Sequence, residues 1–188
     1  MPSRSKNKGN KFERDIRDFL NETYNTEEFS RTPNSGAIMG RTNWGKNQGL
    51  SEDVKRTLGS DIITAEDFRF AVECKHYGDK PNYAAIIKGP DSTLDHWLGE
   101  TVYDAINLDL HPLLFFKTNR KGTHYALPDY FAFTCKHYLV YGPFVISGID
   151  TFRSNAEYFK SQGLGMDVER QEWFKREDVQ DLLKILED

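Results

Sequence analysis

A chain of 188 residues, 38% hydrophobic and 29% charged, is long enough to bury a substantial core and falls within the usual size of one domain, expected here over 1–188. Two cysteines exclude a disulfide framework, and neither a secretory signal nor an apolar run long enough to cross a bilayer is present, so a soluble, cytoplasmic protein is expected. The net charge of -4 argues against a uniformly basic nucleic-acid binder, but its distribution is uneven. Arg4, Lys6, Lys8 and Lys11 precede the first acid, residues 31–46 carry Arg31, Arg41 and Lys46 with no acid, and the carboxyl end is acid-rich.

In the first segment, Phe12, Ile16, Phe19 and Leu20 recur at i, i+4, i+7 and i+8, the signature of an amphipathic helix. Glu13 sits at the border of that stripe, where a carboxylate can approach a cleft. The plainer alternative is a surface glutamate pairing with Arg17 four residues on. Residues 32–60 are rich in Gly, Asn and Ser, and a loop of that length inside a compact domain is usually functional or mobile. Within it Trp44, between Arg41 and Lys46, either stacks on an unpaired base while the cations meet phosphates, or anchors the loop on the core.

The most informative stretch follows. Gly59-Ser60-Asp61-Ile62-Ile63 leads through a turn at Ala65-Glu66-Asp67 into Phe70-Ala71-Val72-Glu73-Cys74-Lys75. As a strand, residues 69–77 place Ala71, Glu73, Lys75 and Tyr77 on one face and Phe70, Val72, Cys74 and His76 on the other. A hairpin return sets Asp61 beside Glu73, so that two carboxylates converge next to the Lys75 ammonium. That combination suits phosphodiester hydrolysis. Magnesium prefers oxygen ligands and usually takes one or two carboxylates plus the substrate phosphate. A lysine alongside can orient water or offset charge developing on the phosphate. An isolated Glu-x-Lys is more often a solvated pair; the aspartate on its own apolar run shifts the weighting toward a site.

Farther on, Leu94, Trp97, Leu98, Val102, Ala105 and Ile106 predict a helix over 92–108 covering the sheet, with Trp97 in the core. His111-Pro112 is expected to end the helical region, 113–117 to form a buried strand, and Asn119-Arg120-Lys121-Gly122 to turn the chain into a strand at 124–126. Val179, Leu182, Leu183 and Leu186 form a last amphipathic stripe, which packs on its own domain or joins a dimer interface. The echo of Cys74-Lys75-His76-Tyr77 in Cys135-Lys136-His137-Tyr138 offers soft zinc ligands in principle, but both pairs lie in apolar contexts where buried cysteines are ordinary core residues.

Taken together, Lys8-Gly9 with Glu13-Arg14, then Ser30-Arg31-Thr32-Pro33-Asn34-Ser35-Gly36, then Gly59-Ser60-Asp61-Ile62-Ile63 and Val72-Glu73-Cys74-Lys75 resemble the archaeal-type Holliday junction resolvases of the PD-(D/E)XK, or restriction-endonuclease-like, nuclease superfamily. The resemblance covers roughly the first two-thirds of the chain. It implies an α/β fold with a mixed central sheet flanked by helices, and a nuclease core over about 8–128 with a carboxy-terminal extension over about 129–188. It also implies Mg2+- or Mn2+-dependent cleavage of DNA by a homodimer acting on four-way junctions, in recombination or repair. Carried over by position, Glu13, Asp61, Glu73 and the backbone carbonyl of Cys74 become metal ligands, and Lys75 the catalytic lysine. Lys8, Lys11, Arg14, Arg31, Ser35, Arg41, Trp44 and Lys46 become DNA-binding residues, Arg14, Arg31 and Ser35 either contacting DNA or supporting the site. The stretch from Ala37 to Leu58 is longer than the corresponding link in that family. The alternatives are a duplex or single-strand endonuclease of the same fold in repair or restriction, and a catalytically silent DNA-binding module.

Overall fold

The long first helix, α1 (Arg4–Tyr24), buries Phe12, Ile16 and Leu20 and leaves Lys8, Lys11 and Arg14 exposed, as its apolar spacing requires. The computed structural model describes residues 4–33, 59–78, 81, 83–135 and 137–187. Short strands β1 (Ser30–Arg31) and β2 (Ile62–Ile63) lead to β3 (Phe70–Tyr77). A one-turn helix α2 (Tyr83–Ile86) and the long α3 (Ser92–Leu108) cross over to β4 (His111–Thr118), which runs parallel to β3, a connection that parallel strands need. The strand β5 (Thr123–Pro128) returns antiparallel and a 3-10 helix, Asp129–Thr134, follows.

The chain then adds a hairpin that the sequence reading did not anticipate, β6 (Leu139–Tyr141) and β7 (Phe144–Gly148), turning at Gly142 with φ +52°. Among the described residues the sheet is seven-stranded in the order β1-β2-β3-β4-β5-β7-β6. Helices α4 (Ile149–Ser154), α5 (Ala156–Gly163), α6 (Asp167–Phe174) and α7 (Glu177–Lys184) complete the chain. The expected mixed α/β sheet flanked by helices is what the chain forms, and residues after 129 contribute two of its strands.

Strand alternation divides the core. Phe70, Val72, Cys74, Leu113, Phe115, Tyr125, Leu127 and Val145 pack against α1 and against Phe152 and Phe159 of α4 and α5. On the opposite face Leu114, Phe116, Ala126 and Ile146 meet Leu94, Trp97, Leu98 and Val102 of α3, with Trp173, Val179 and Leu182 of α6 and α7. β4 is buried on both faces, which is why 113–116 reads as an unbroken apolar run. Trp97 is a core residue, as expected, and Tyr77 lies against it with ring centroids 5.0 Å apart. No helix among the described residues is long and apolar enough to cross a membrane.

Helix α3 occupies the span read from its periodicity. Asp91 caps it by accepting hydrogen bonds from Thr93 N–H at 3.0 Å and Leu94 N–H at 3.1 Å, and Asp109, left-handed at φ 54°, ends it. His111 and Pro112 are therefore not a terminator of the helix but the first residues of β4, since the turn is completed at Asp109 and Leu110 N–H already bonds back to Ala105 O. Arg170, 1% exposed, donates to the Asp109 backbone carbonyl and, at 2.8 Å, to its carboxylate, fixing this corner. The stripe on α7 packs on α3 of the same chain: Val179 and Leu182 belong to the α3-side core. The helices approach so closely that a Cβ at Gly99 would lie 2.6 Å from Leu182 O.

His111 is fully buried between Tyr130 and the end of α5. Its Nε2, 3.0 Å from the Gly163 carbonyl, carries the proton, and Nδ1 accepts from Tyr130 Oη at 2.6 Å. Burial lowers its pKa to about 4, against the Gly163 hydrogen bond that favours the charged form. Because the unfolded chain binds a proton near pH 6.5 and the folded one only near 4, the unfolded state holds more protons in that window. Stability from His111 is then fully present above about pH 6.5 and lost as the pH falls toward 4, on the order of 3 kcal/mol in all. Urea unfolding of the native protein and of His111→Gln should show a stability gap that narrows steadily from pH 7 to pH 4.5. A gap independent of pH would mean that His111 is not held neutral.

Candidate active site

The centre of the site is the register of β2 on β3. Ile62 pairs with Val72 antiparallel, which brings Asp61 alongside Glu73, as the hairpin reading expects. Asp61 is fixed by its own backbone: its N–H donates to Val72 O at 3.0 Å, and its carbonyl accepts from Thr32 N–H at 3.0 Å. Its carboxylate Oδ2 accepts from Cys74 N–H at 2.9 Å, which points the acid across the end of the two-residue strand β2. Ser60 Oγ donates to Ile62 O at 2.8 Å and stiffens the approach.

Glu73 and Lys75 share the face of β3 that looks toward α3. Lys75 Nζ lies 2.7 Å from Glu73 Oε1 and 2.8 Å from Glu100 Oε2, so two carboxylates from different elements hold one ammonium. The other oxygen of Glu100 lies 3.6 Å from His96 Nε2 one turn earlier. Burial pushes the Glu73 carboxyl up from its usual range, the Asp61 charge adds to the rise, and Lys75 opposes it. Asp104, next on this face of α3, is pushed well above the usual carboxylate range by burial and then by Glu73 and Asp61. Burial works against the Lys75 ammonium, yet Glu73 and Glu100 outweigh it and hold its pKa above that of an ordinary lysine. The site is a cluster of carboxylates whose mutual repulsion favours added positive charge.

Asp61 and Glu73 carry hard oxygen donors in adjacent register, the donor set that magnesium or manganese accepts. Among the described residues no group of three or more His, Cys, Asp or Glu side chains is arranged to hold a metal. Cys74 and Cys135 are both buried in the α1-side core, and the Cys135 thiol lies 3.3 Å from Tyr125 Oη. Cys74 turns its N–H toward Asp61; in an extended strand the carbonyl of the same residue faces the same edge.

Glu13 does not pair with Arg17, whose guanidinium binds Asp18 Oδ1 at 2.6 Å. It forms an ion pair with Arg31 of β1, and Arg31 also donates to Asn10 Oδ1 at 2.9 Å. Arg31 thus ties α1 to the β1 edge instead of presenting a bare cation. Lys8 sits on the exposed side of α1, with Nζ 3.5 Å from Asn119 Oδ1 at the β4–β5 turn, and Lys11 and Arg14 are exposed on the same helix. Ser35, Arg41, Trp44 and Lys46 lie outside the described residues.

Sequence reading missed Glu100 and Asp104. The signal was present: Trp97, Glu100 and Asp104 follow at i, i+3 and i+7, placing two acids beside the apolar stripe of α3.

A mixed sheet with a parallel central pair, an aspartate on the short antiparallel strand and Glu-x-Lys on its neighbour is the arrangement of PD-(D/E)XK, restriction-endonuclease-like nucleases. The chain matches the family described as "phage putative PDDEXK endonuclease" over residues 4–162, and it belongs to that family. The match runs well past residue 128, where the sequence reading ends the core, and takes in β6 and β7. No curated protein and no solved structure matches the chain.

Proposed function

We propose that this endonuclease hydrolyses DNA phosphodiester bonds with Mg2+ or Mn2+ and acts on four-way junctions as a homodimer. The observation that carries the hydrolytic reading is the cross-strand placement of Asp61 beside Glu73, with Lys75 Nζ 2.7 Å from the latter. Asp61, Glu73 and the Cys74 carbonyl would hold the ion, with Glu13 at the margin through Arg31. The chemistry such an ion supplies is Lewis-acid polarisation of the scissile phosphate and acidification of water. Lys75 gives two of its three N–H groups to Glu73 and Glu100, and the third serves the phosphate or the attacking water as negative charge develops. The Asp61 contact to Cys74 N–H keeps its carboxylate in place without reorganisation.

Junction specificity rests on the ordered motifs from Lys8 to Lys75 and on the exposed cations of α1. Resolution requires two symmetric cuts, which a two-fold dimer supplies most simply. A second reading, a duplex or single-strand endonuclease, draws support from α7, whose Val179 and Leu182 are already covered by α3 and so are not left for a dimer partner. Incubating the purified protein with a four-way junction, a flap, a linear duplex and a single strand, each with Mg2+ or Mn2+, separates these readings. Paired cuts in the junction support resolution, preferential cleavage of a linear substrate supports the second reading, and binding without cleavage leaves a silent module.

If Lys8, Lys11 and Arg14, with Arg41 and Lys46, neutralise phosphates, log affinity should fall linearly with log salt. Each phosphate contact removed by substitution should then reduce the slope by about 0.9. Fluorescence anisotropy from 50 to 200 mM salt with Lys8→Ala, Lys11→Ala and Arg14→Ala checks this; unchanged slopes would place the DNA on another face.

A further inference from the structure

Glu73 has two demands on one carboxylate. It holds Lys75 at 2.7 Å, and it is also half of the pair that would receive a divalent cation. A cation held by Glu73 would share that carboxylate with Lys75 and repel the ammonium, so this bond would weaken on loading. Lysine has a long, rotamer-rich stem, and an ammonium released from one anchor does not stay aimed by itself.

We infer that Glu100 is the positioning residue that keeps Lys75 aimed at the reacting phosphate; this rests on the hydrolytic reading of Asp61, Glu73 and Lys75. Glu100 Oε2 lies 2.8 Å from Lys75 Nζ and comes from α3, an element that does not share the β2–β3 edge where the cation would sit. The helix is held independently of the site, by the Asp91 cap, by buried Leu94, Trp97, Leu98 and Val102, and by the close approach of Gly99 to α7. His96 Nε2 lies 3.6 Å from Glu100 Oε1, the oxygen that does not meet Lys75. Glu100 is 38% exposed at its side chain against 19% for Lys75, so the ammonium is the more buried of the two. Its role is exerted through Lys75, without contact to the substrate.

The test uses the full chain and whichever DNA of the four-substrate panel the native protein cuts fastest. Glu100→Ala should lower kcat by about 10- to 100-fold with KM within about twofold, the pattern expected when the carboxylate that aims Lys75 is lost. Glu100→Gln, which keeps an acceptor for Lys75, should recover part of the loss. In single-turnover reactions with excess protein, Glu100→Ala should cost nothing further once Lys75→Ala is present, because the two act as one unit. A second readout does not depend on cleavage: acylation of Lys75 by acetic anhydride, followed by mass spectrometry. With Mn2+ added, Lys75 should remain protected in the native protein and become labelled in Glu100→Ala. The inference is overturned if Glu100→Ala cuts at the native rate while Lys75→Ala is inactive, or if its effect is equally large in the Lys75→Ala background. If Lys75→Ala itself cuts normally, or the native protein cuts none of the four DNAs, the hydrolytic reading fails and the inference with it.

Discussion

Asp61→Asn and Glu73→Gln should each lower metal-dependent DNA cleavage by on the order of 10³-fold, with DNA still bound and the fold intact. Each substitution keeps the size of the side chain and removes one negative oxygen donor. The amide oxygen introduced by Asp61→Asn would still accept from Cys74 N–H, so the β2–β3 register should survive. Glu73→Gln removes a charge that burial and Asp61 already disfavour, while Lys75 keeps Glu100 as a partner. Lys75→Ala should be comparably damaging. Glu13→Gln should cost less, roughly tenfold, because its partner is Arg31 and its influence on the centre is indirect. Rates from the cleaved substrate, with thermal unfolding and anisotropy as controls, decide the matter. A near-native rate in either the Asp61 or the Glu73 variant would remove the site from the β2–β3 edge.

Gly99→Ala should destabilise the protein even though alanine is the better helix former. Two effects compete. Alanine in a helix interior is favoured over glycine by about 1 kcal/mol. The new Cβ, however, would stand 2.6 Å from the Leu182 carbonyl oxygen and 3.4 Å from Leu186 Cδ2, and the first of these is backbone that cannot rotate aside. Relieving it requires α7 to move off α3, loosening the packing of Val179 and Leu182. A net loss of about 1–3 kcal/mol is expected, with Gly99→Val worse. Urea denaturation of both variants measures it; a gain in stability would show that α7 gives way freely.

Much of this architecture can be read from local pattern. Period-two alternation over 69–77 sorts Phe70, Val72 and Cys74 from Glu73 and Lys75, and the apolar spacing of α1 and α3 locates both helices and Trp97. The Asp61–Glu73 approach is legible because one short turn, at Ala65-Glu66-Asp67, leaves little freedom in register. What escapes is non-local. Arg31 meeting Glu13 across 18 residues is fixed by how β1 docks beside α1, and spacing along the chain carries no trace of it. Glu100 and Asp104 become site residues only once the β3–β4 crossover lays α3 over β3. β6 and β7 escape for a different reason: Leu139-Val140-Tyr141 and Phe144-Val145-Ile146 flank Gly142-Pro143, an ordinary hairpin signal lost among the aromatic residues around it.

Asp61 is carried at the mouth of a strand only two residues long, next to another of the same length that is outermost among the described strands. Such margins belong to the low-stability end of a fold and open on their own while the interior stays protected. Opening there would withdraw Asp61 without disturbing β4 or β5. The Cys74 amide, whose acceptor is the Asp61 side chain, would lose its protection against hydrogen exchange at the same moment. If the proposed site is the active one, that backbone proton reports how often Asp61 is in place, and bound DNA should slow its exchange with solvent.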